Sequence, residues 1–154
     1  MERKKRLFSC ALVILGAMMM IPHTTKGYEK KQEDYSEEQS GIPDVVNSVT
    51  LGTDHHLTVI ANSDKIEEKE EFARTVIHMC QDNSFHSVRF STDIRGYPSE
   101  LDIDVFLNRK DVEERKEPVC KIKFKTDDFS KGYNIKDNPD KFHLFLDEKE
   151  IEFY

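Results

Sequence analysis

The chain predicts an α+β domain in which one amphipathic helix packs on an antiparallel sheet of four to five strands. Three observations carry this expectation. Apolar residues recur at three- and four-residue spacing from Ile66 to Cys80. Two later segments alternate strictly between apolar and charged residues, with acids outward on one and lysines outward on the other. The stretch from Val49 to Tyr154 is roughly a hundred residues, room for one modest core.

Taken in order, Leu57, Val59 and Ile60 form a short β-prone run. Asp64 is expected to open the helix, with Glu67 at the capping-box position. Ile66, Phe72, Ala73, Val76, Ile77, Met79 and Cys80 share its apolar stripe, opposite Glu67, Glu68, Glu71 and Arg74. The helix should stop within Gln81-Asp82-Asn83-Ser84, residues that favour turns. A strand is expected over Val88, Phe90, Thr92 and Ile94, and Arg95-Gly96-Tyr97-Pro98-Ser99 supplies a turn.

Leu101, Ile103, Val105 and Leu107 then point inward, as do Cys120, Ile122 and Phe124 on the following strand. Asp102 and Asp104 face outward on the first, Lys121, Lys123 and Lys125 on the second. A hairpin turning within Arg109 to Pro118 that sets Asp104 opposite Lys123, Asp102 opposite Lys125, Val105 opposite Ile122 and Leu107 opposite Cys120 makes both faces complementary. A slip by one residue would put acids in the core. Asp127 to Asn134 reads as a loop and Asp137 to Asp140 as a turn. Phe142 to Leu146 reads as the last full strand, and Glu150 to Tyr154 as a short edge after a turn at Asp147-Glu148-Lys149.

This β-α-β-β-β-β order resembles the cystatin-like layout, at the level of element order only and over roughly the last hundred residues. The resemblance implies a helix lying on the apolar face of the sheet. The glutamine-valine-glycine loop of cystatin inhibitors is absent. Asp93 to Glu100 fill its place.

Ahead of the domain, Arg3-Lys4-Lys5-Arg6 precedes an apolar run of 15 residues from Leu7 to Ile21. That is short of the ~20 residues that span a bilayer as a helix and fits an export signal. Residues 1–27 are accordingly expected to be a signal peptide or, uncleaved, a signal anchor. Cys10 in Leu7-Phe8-Ser9-Cys10 stands too early in the apolar run for a lipid-attachment cysteine. Residues 28–48, rich in Glu, Gln and Ser, read as an acidic disordered stalk, and residues 49–154 as the single α+β domain. Without residues 1–27 the chain carries 18 basic and 29 acidic residues, a formal charge of −11. Nucleic acid would be repelled by such a chain, and membrane contact is expected only through the N-terminal segment.

Candidates for chemistry are few. His55 and His56, with His78, His86 or His143, lack the usual metal-ligand spacing. Asp127, Asp128, Asp137 and Asp140 lack the glycine-centred alternation of a calcium loop and read as turn caps. Pairings of Cys80 with His78, or of Cys120 with His143, could offer nucleophile and base, but the Cys80 stripe belongs to the core. Asp102 and Asp104 are explained by their opposing lysines. No phosphate loop, nucleophile elbow or zincin signature occurs, and no metal or cofactor is predicted. One disulfide, Cys80 to Cys120, is allowed in an oxidising compartment.

The sequence therefore points to an exported, cell-envelope or secreted binding or accessory module with a protein or peptide partner. Tyr97 and Tyr133, in glycine-containing turns, are the candidate partner-binding residues. A small extracytoplasmic hydrolase and a surface protease inhibitor are the competing readings.

Overall fold

Residues 40–89 and 96–154 are described by a computed structural model. Strands β1 (Asp44–Leu51), β2 (Asp54–Ile60), β3 (Glu100–Phe106), β4 (Cys120–Thr126), β5 (Phe142–Leu146) and β6 (Lys149–Ile151) lie side by side in chain order in one six-stranded sheet. Helix α1 (Lys69–Asp82) joins β2 to β3, and the short α2 (Arg109–Glu113) joins β3 to β4.

The sheet is mixed. β2 and β3 run parallel, while every other neighbouring pair is antiparallel. The architecture is α+β as expected, but the antiparallel sheet of four to five strands in cystatin-like order is not what the chain builds. A helical crossover carries the chain back to the end of the sheet where β2 began, so the next strand must run the same way.

β1 is the strand absent from the sequence-based expectation. Asp44, Asn47, Ser48 and Thr50 dilute its apolar signal, and Val45 is its only fully buried residue, with a bulge between Val45 and Asn47. It occupies an edge of the sheet, where one row of contacts suffices. β1 thus begins at Asp44, inside the segment expected as a stalk. Leu51 pairs with Asp54 across Gly52-Thr53, and Gly52 (φ +68°) takes the first central position of a two-residue hairpin turn that glycine alone adopts freely.

α1 starts five residues later than Asp64. After β2 the chain still follows β3: Ala61 donates its N–H to the Phe106 carbonyl (2.8 Å), Ser63 donates to Leu107 (3.3 Å), and the Ser63 hydroxyl donates to the Lys65 carbonyl (2.8 Å). Those backbone groups are committed before a helix can use them. Glu68 is the N-cap without a side-chain cap, and Glu70 and Glu71 in the first turn suit the positive end of the helix. The end is better specified. Asn83 adopts the left-handed conformation (φ 51°, ψ 44°), and Ser84 and Asn83 donate to the carbonyls of Met79 (3.0 Å) and Cys80 (3.3 Å), closing a Schellman cap.

The helix buries Ala73, Val76, Ile77 and Cys80 against Leu57, Val59, Leu101, Ile103, Val105, Ile122, Phe124 and Leu144 of the sheet. Ile66, Phe72 and Met79 pack at the margin of this core. Gln81 is also buried, and its amide donates to the Ile135 carbonyl (2.9 Å), which ties the loop after β4 to the end of α1.

β3 and β4 pair two residues away from the expected register. Asp102 opposes Lys123, Asp104 opposes Lys121, Ile103 opposes Ile122 and Val105 opposes Cys120. A two-residue shift keeps every side chain on its face, so alternation cannot tell the two registers apart. The connection decides. Val119 donates to the Val105 carbonyl (2.8 Å), the Asn108 side chain caps α2 by accepting from Asp111 N–H (3.1 Å), and Leu107, expected in the core opposite Cys120, lies half-buried beyond the ladder.

Of the strand expected over Val88 to Ile94, Val88 and Arg89 belong to no strand and residues 90–95 lie outside the described residues. The signal segment 1–27 and residues 28–39 of the stalk lie outside them as well. Among the described residues no helix is long and apolar enough to cross a membrane.

Candidate functional site

Tyr97 and Tyr133 are both half-buried and pack against the core cluster. Their turns are held from below: the Pro98 carbonyl accepts from Ile135 N–H (3.0 Å), and Ser99 donates to Thr53 (3.0 Å). Both rings thus lean on the core cluster while keeping part of their surface exposed.

The histidines are dispersed. His55 is buried, and His56 stands on the opposite face of β2 at 3.7 Å from Asp102. His78 meets Gln81 Oε1 (3.1 Å) and the Phe153 ring (centroids 5.0 Å apart). The His86 N–H donates to Asp44 (3.0 Å). Among the described residues no three His, Cys, Asp or Glu side chains converge as a metal ion requires. Asp128 caps Ser130 N–H (3.1 Å), Asp137 accepts from Asn134 (2.8 Å), and Asp140 pairs with Lys141 (2.7 Å). Asp102 and Asp104 pair with Lys123 (3.6 Å) and Lys121 (3.4 Å) on the charged face of the sheet.

Cys80 and Cys120 are free, buried thiols, and the allowed disulfide does not form. Cys120 lies near Lys69 and next to Val119, whose carbonyl accepts from Lys69 Nζ (2.7 Å), at the beginning of α1. Cys80, on α1, belongs to the same core cluster as Cys120, and no bond joins the two sulfurs. Burial pushes the Cys120 thiol up to about 11 and the Cys80 thiol higher still.

A groove forms instead at the β5–β6 edge. β6 pairs only with Leu144–Leu146, leaving Phe142 and His143 beyond its end. The chain then turns toward the helix: Arg74 of α1 donates to the Glu152 carbonyl (2.9 Å), and the Phe153 ring packs against Phe124 (4.8 Å) and His78. Burying a phenylalanine is worth about 1.5–3 kcal/mol, whereas each further ladder bond contributes about 1 kcal/mol net. Apolar burial ends the strand.

The resulting open groove of about 470 Å³ has an apolar floor of Phe142, Leu144, Ile151, Phe153 and Tyr154, with Asp140, His143, Glu150 and Glu152 around it. Phe142 is stacked on Phe124 (5.0 Å) and Tyr154 meets Phe153 edge-on (4.7 Å), so the floor is held from within. His143 Nδ1 lies 2.7 Å from Glu150 and Nε2 lies 3.3 Å from Asp127, a bridge between β5, β6 and the loop after β4. The hydrogen bond from Lys141 holds the Asp140 carboxyl below its ordinary range. The rim is thus predominantly anionic.

These residues were read from the sequence as strand and edge, not as a site. The available signal was Glu150-Ile151-Glu152-Phe153-Tyr154, where carboxylates interleave with large apolar side chains at a strand end. No protein-family model, curated protein or solved structure matches the chain.

Proposed function

We propose that the chain is an exported binding or accessory module, extracytoplasmic and either secreted or anchored by its N-terminal segment, which acts by presenting a surface to a protein or peptide. The groove beside β5 and β6 is the observation that carries this reading: a preformed hollow with a fixed aromatic floor and a few charged groups at its rim is the usual build of a recognition site. The groups that a hydrolase would recruit are otherwise engaged. Both thiols are core side chains that burial keeps protonated, and Asp102 and Asp104 are ion-paired with lysines on the sheet. The export part of the reading rests on Arg3 to Ile21.

Amide chemical shifts of the full chain, followed during titration with mixed peptide pools, test the binding reading. Shifts concentrated on Phe142 to Leu144 and Glu152 to Tyr154 support it. Turnover of ester, peptide or phosphoester reporters that His143→Ala abolishes would replace it with the hydrolase reading. Tight inhibition of a surface protease with no shift in the groove would favour the inhibitor instead.

A further inference from the structure

We infer that the β5–β6 groove takes a basic peptide segment, with the alkyl stems of lysine or arginine side chains on the aromatic floor and their cationic heads at the carboxylate rim. The inference rests on the binding reading above and names its ligand class.

Charge and shape point the same way. Asp140, Glu150 and Glu152 supply three carboxylates around one hollow, and among the described residues no hydrogen bond or ion pair engages the Glu152 side chain. Glu150 keeps one oxygen beyond the His143 contact. Against these stand His143, which faces two carboxylates, Lys141, which is paired to Asp140, and Arg74, which donates to the Glu152 carbonyl and is also paired with Glu70 and Glu71. An anionic partner would meet repulsion at the rim, and a purely apolar one would leave the carboxylates to be desolvated without compensation. A lysine or arginine side chain satisfies both parts at once: its methylene stem covers apolar surface while the charged end stays at the water boundary, and its cation can lie over the exposed Tyr154 ring. The chain's formal charge of −7 adds attraction at longer range.

The test is an isothermal and NMR titration of the full chain with three probes: a short peptide alternating arginine and valine, its glutamate-for-arginine counterpart, and a free polyamine. The arginine peptide is expected to bind in the groove, more weakly as salt rises. Glu152→Gln is expected to weaken it by about two- to fivefold, as for a partly exposed ion pair. Tyr154→Ala is expected to weaken it by about tenfold, as for an aromatic anchor. Both positions are exposed, so the fold tolerates the changes. Groove binding by the glutamate peptide instead would overturn the cationic assignment while leaving a binding module in place. Equal binding of the polyamine, with no gain from the peptide, would overturn the peptide assignment. Absence of groove shifts with any probe or peptide pool would overturn both readings.

Discussion

The two thiols report directly on how closed the interior is. Burial raises Cys120 from its ordinary value of 9.0 to about 11 and raises Cys80 further. A group whose folded value lies above its unfolded value favours the fold below the unfolded value, and that contribution is lost as pH climbs toward the folded one. Melting temperature should therefore fall as pH rises above about 9. At neutral pH a thiol reagent, followed by peptide mapping, should modify Cys80 and Cys120 far more slowly in the native than in the unfolded chain. Equal rates in the two states would mean that the core opens readily. The sequence made Cys80 legible as a core residue because it completes the helix stripe. It left open whether Cys80 bridges to Cys120, since that depends on where α1 lies over β4; both thiols are free.

At the scale of elements, the turn between β5 and β6 carries backbone strain. Asp147 (φ 47°) and Glu148 (φ 69°) both occupy the left-handed region, the pattern of a type I′ hairpin that usually ends in glycine. Asp147 earns its position by accepting from Lys121 N–H (2.8 Å) and donating its own N–H to the Lys121 carbonyl (2.9 Å). Glu148 is exposed, so Glu148→Gly should stabilise the fold by about 1 kcal/mol in denaturant titration. The ladder between β3 and β4 can be checked in the same way. A double-mutant cycle should couple Asp104 to Lys121 by about 0.2–1 kcal/mol and leave Asp104 uncoupled from Lys123; the reverse result would restore the register that complementarity alone suggested. Faces were legible here because alternation with period two is strong. Register was not, because it is set by Asn108, α2 and Val119, which read only as a loop.

For the molecule as a whole, the α+β class, the helix face and strands β4 and β5 were all readable from apolar spacing. What escaped was β1 and, with it, the parallel pairing of β2 and β3. An edge strand that buries only Val45 fully leaves almost no periodic trace, and an expectation built on antiparallel meanders had no reason to break at the helix. The candidate site escaped for a related reason. Tyr97 and Tyr133 drew notice because their turns contain glycine; bonds to Ile135 and Thr53 tie those turns to the domain and leave both rings half-buried. The groove arises where β6 ends early, a competition between Phe153 burial and strand pairing that local sequence does not display.

The ordering of the strands has a further consequence for how the chain reaches this state. Every strand lies beside its successor, so five pairings must be made between consecutive segments, and in four of those pairings the partners are joined by comparatively short connections. Only β2 and β3 must find each other across residues 61–99. Closing a segment costs entropy that grows only with the logarithm of its length, and low contact order favours rapid acquisition of the native topology. The helix within that one long excursion shortens it as it forms, which makes α1 the element that turns a distant encounter into a near one.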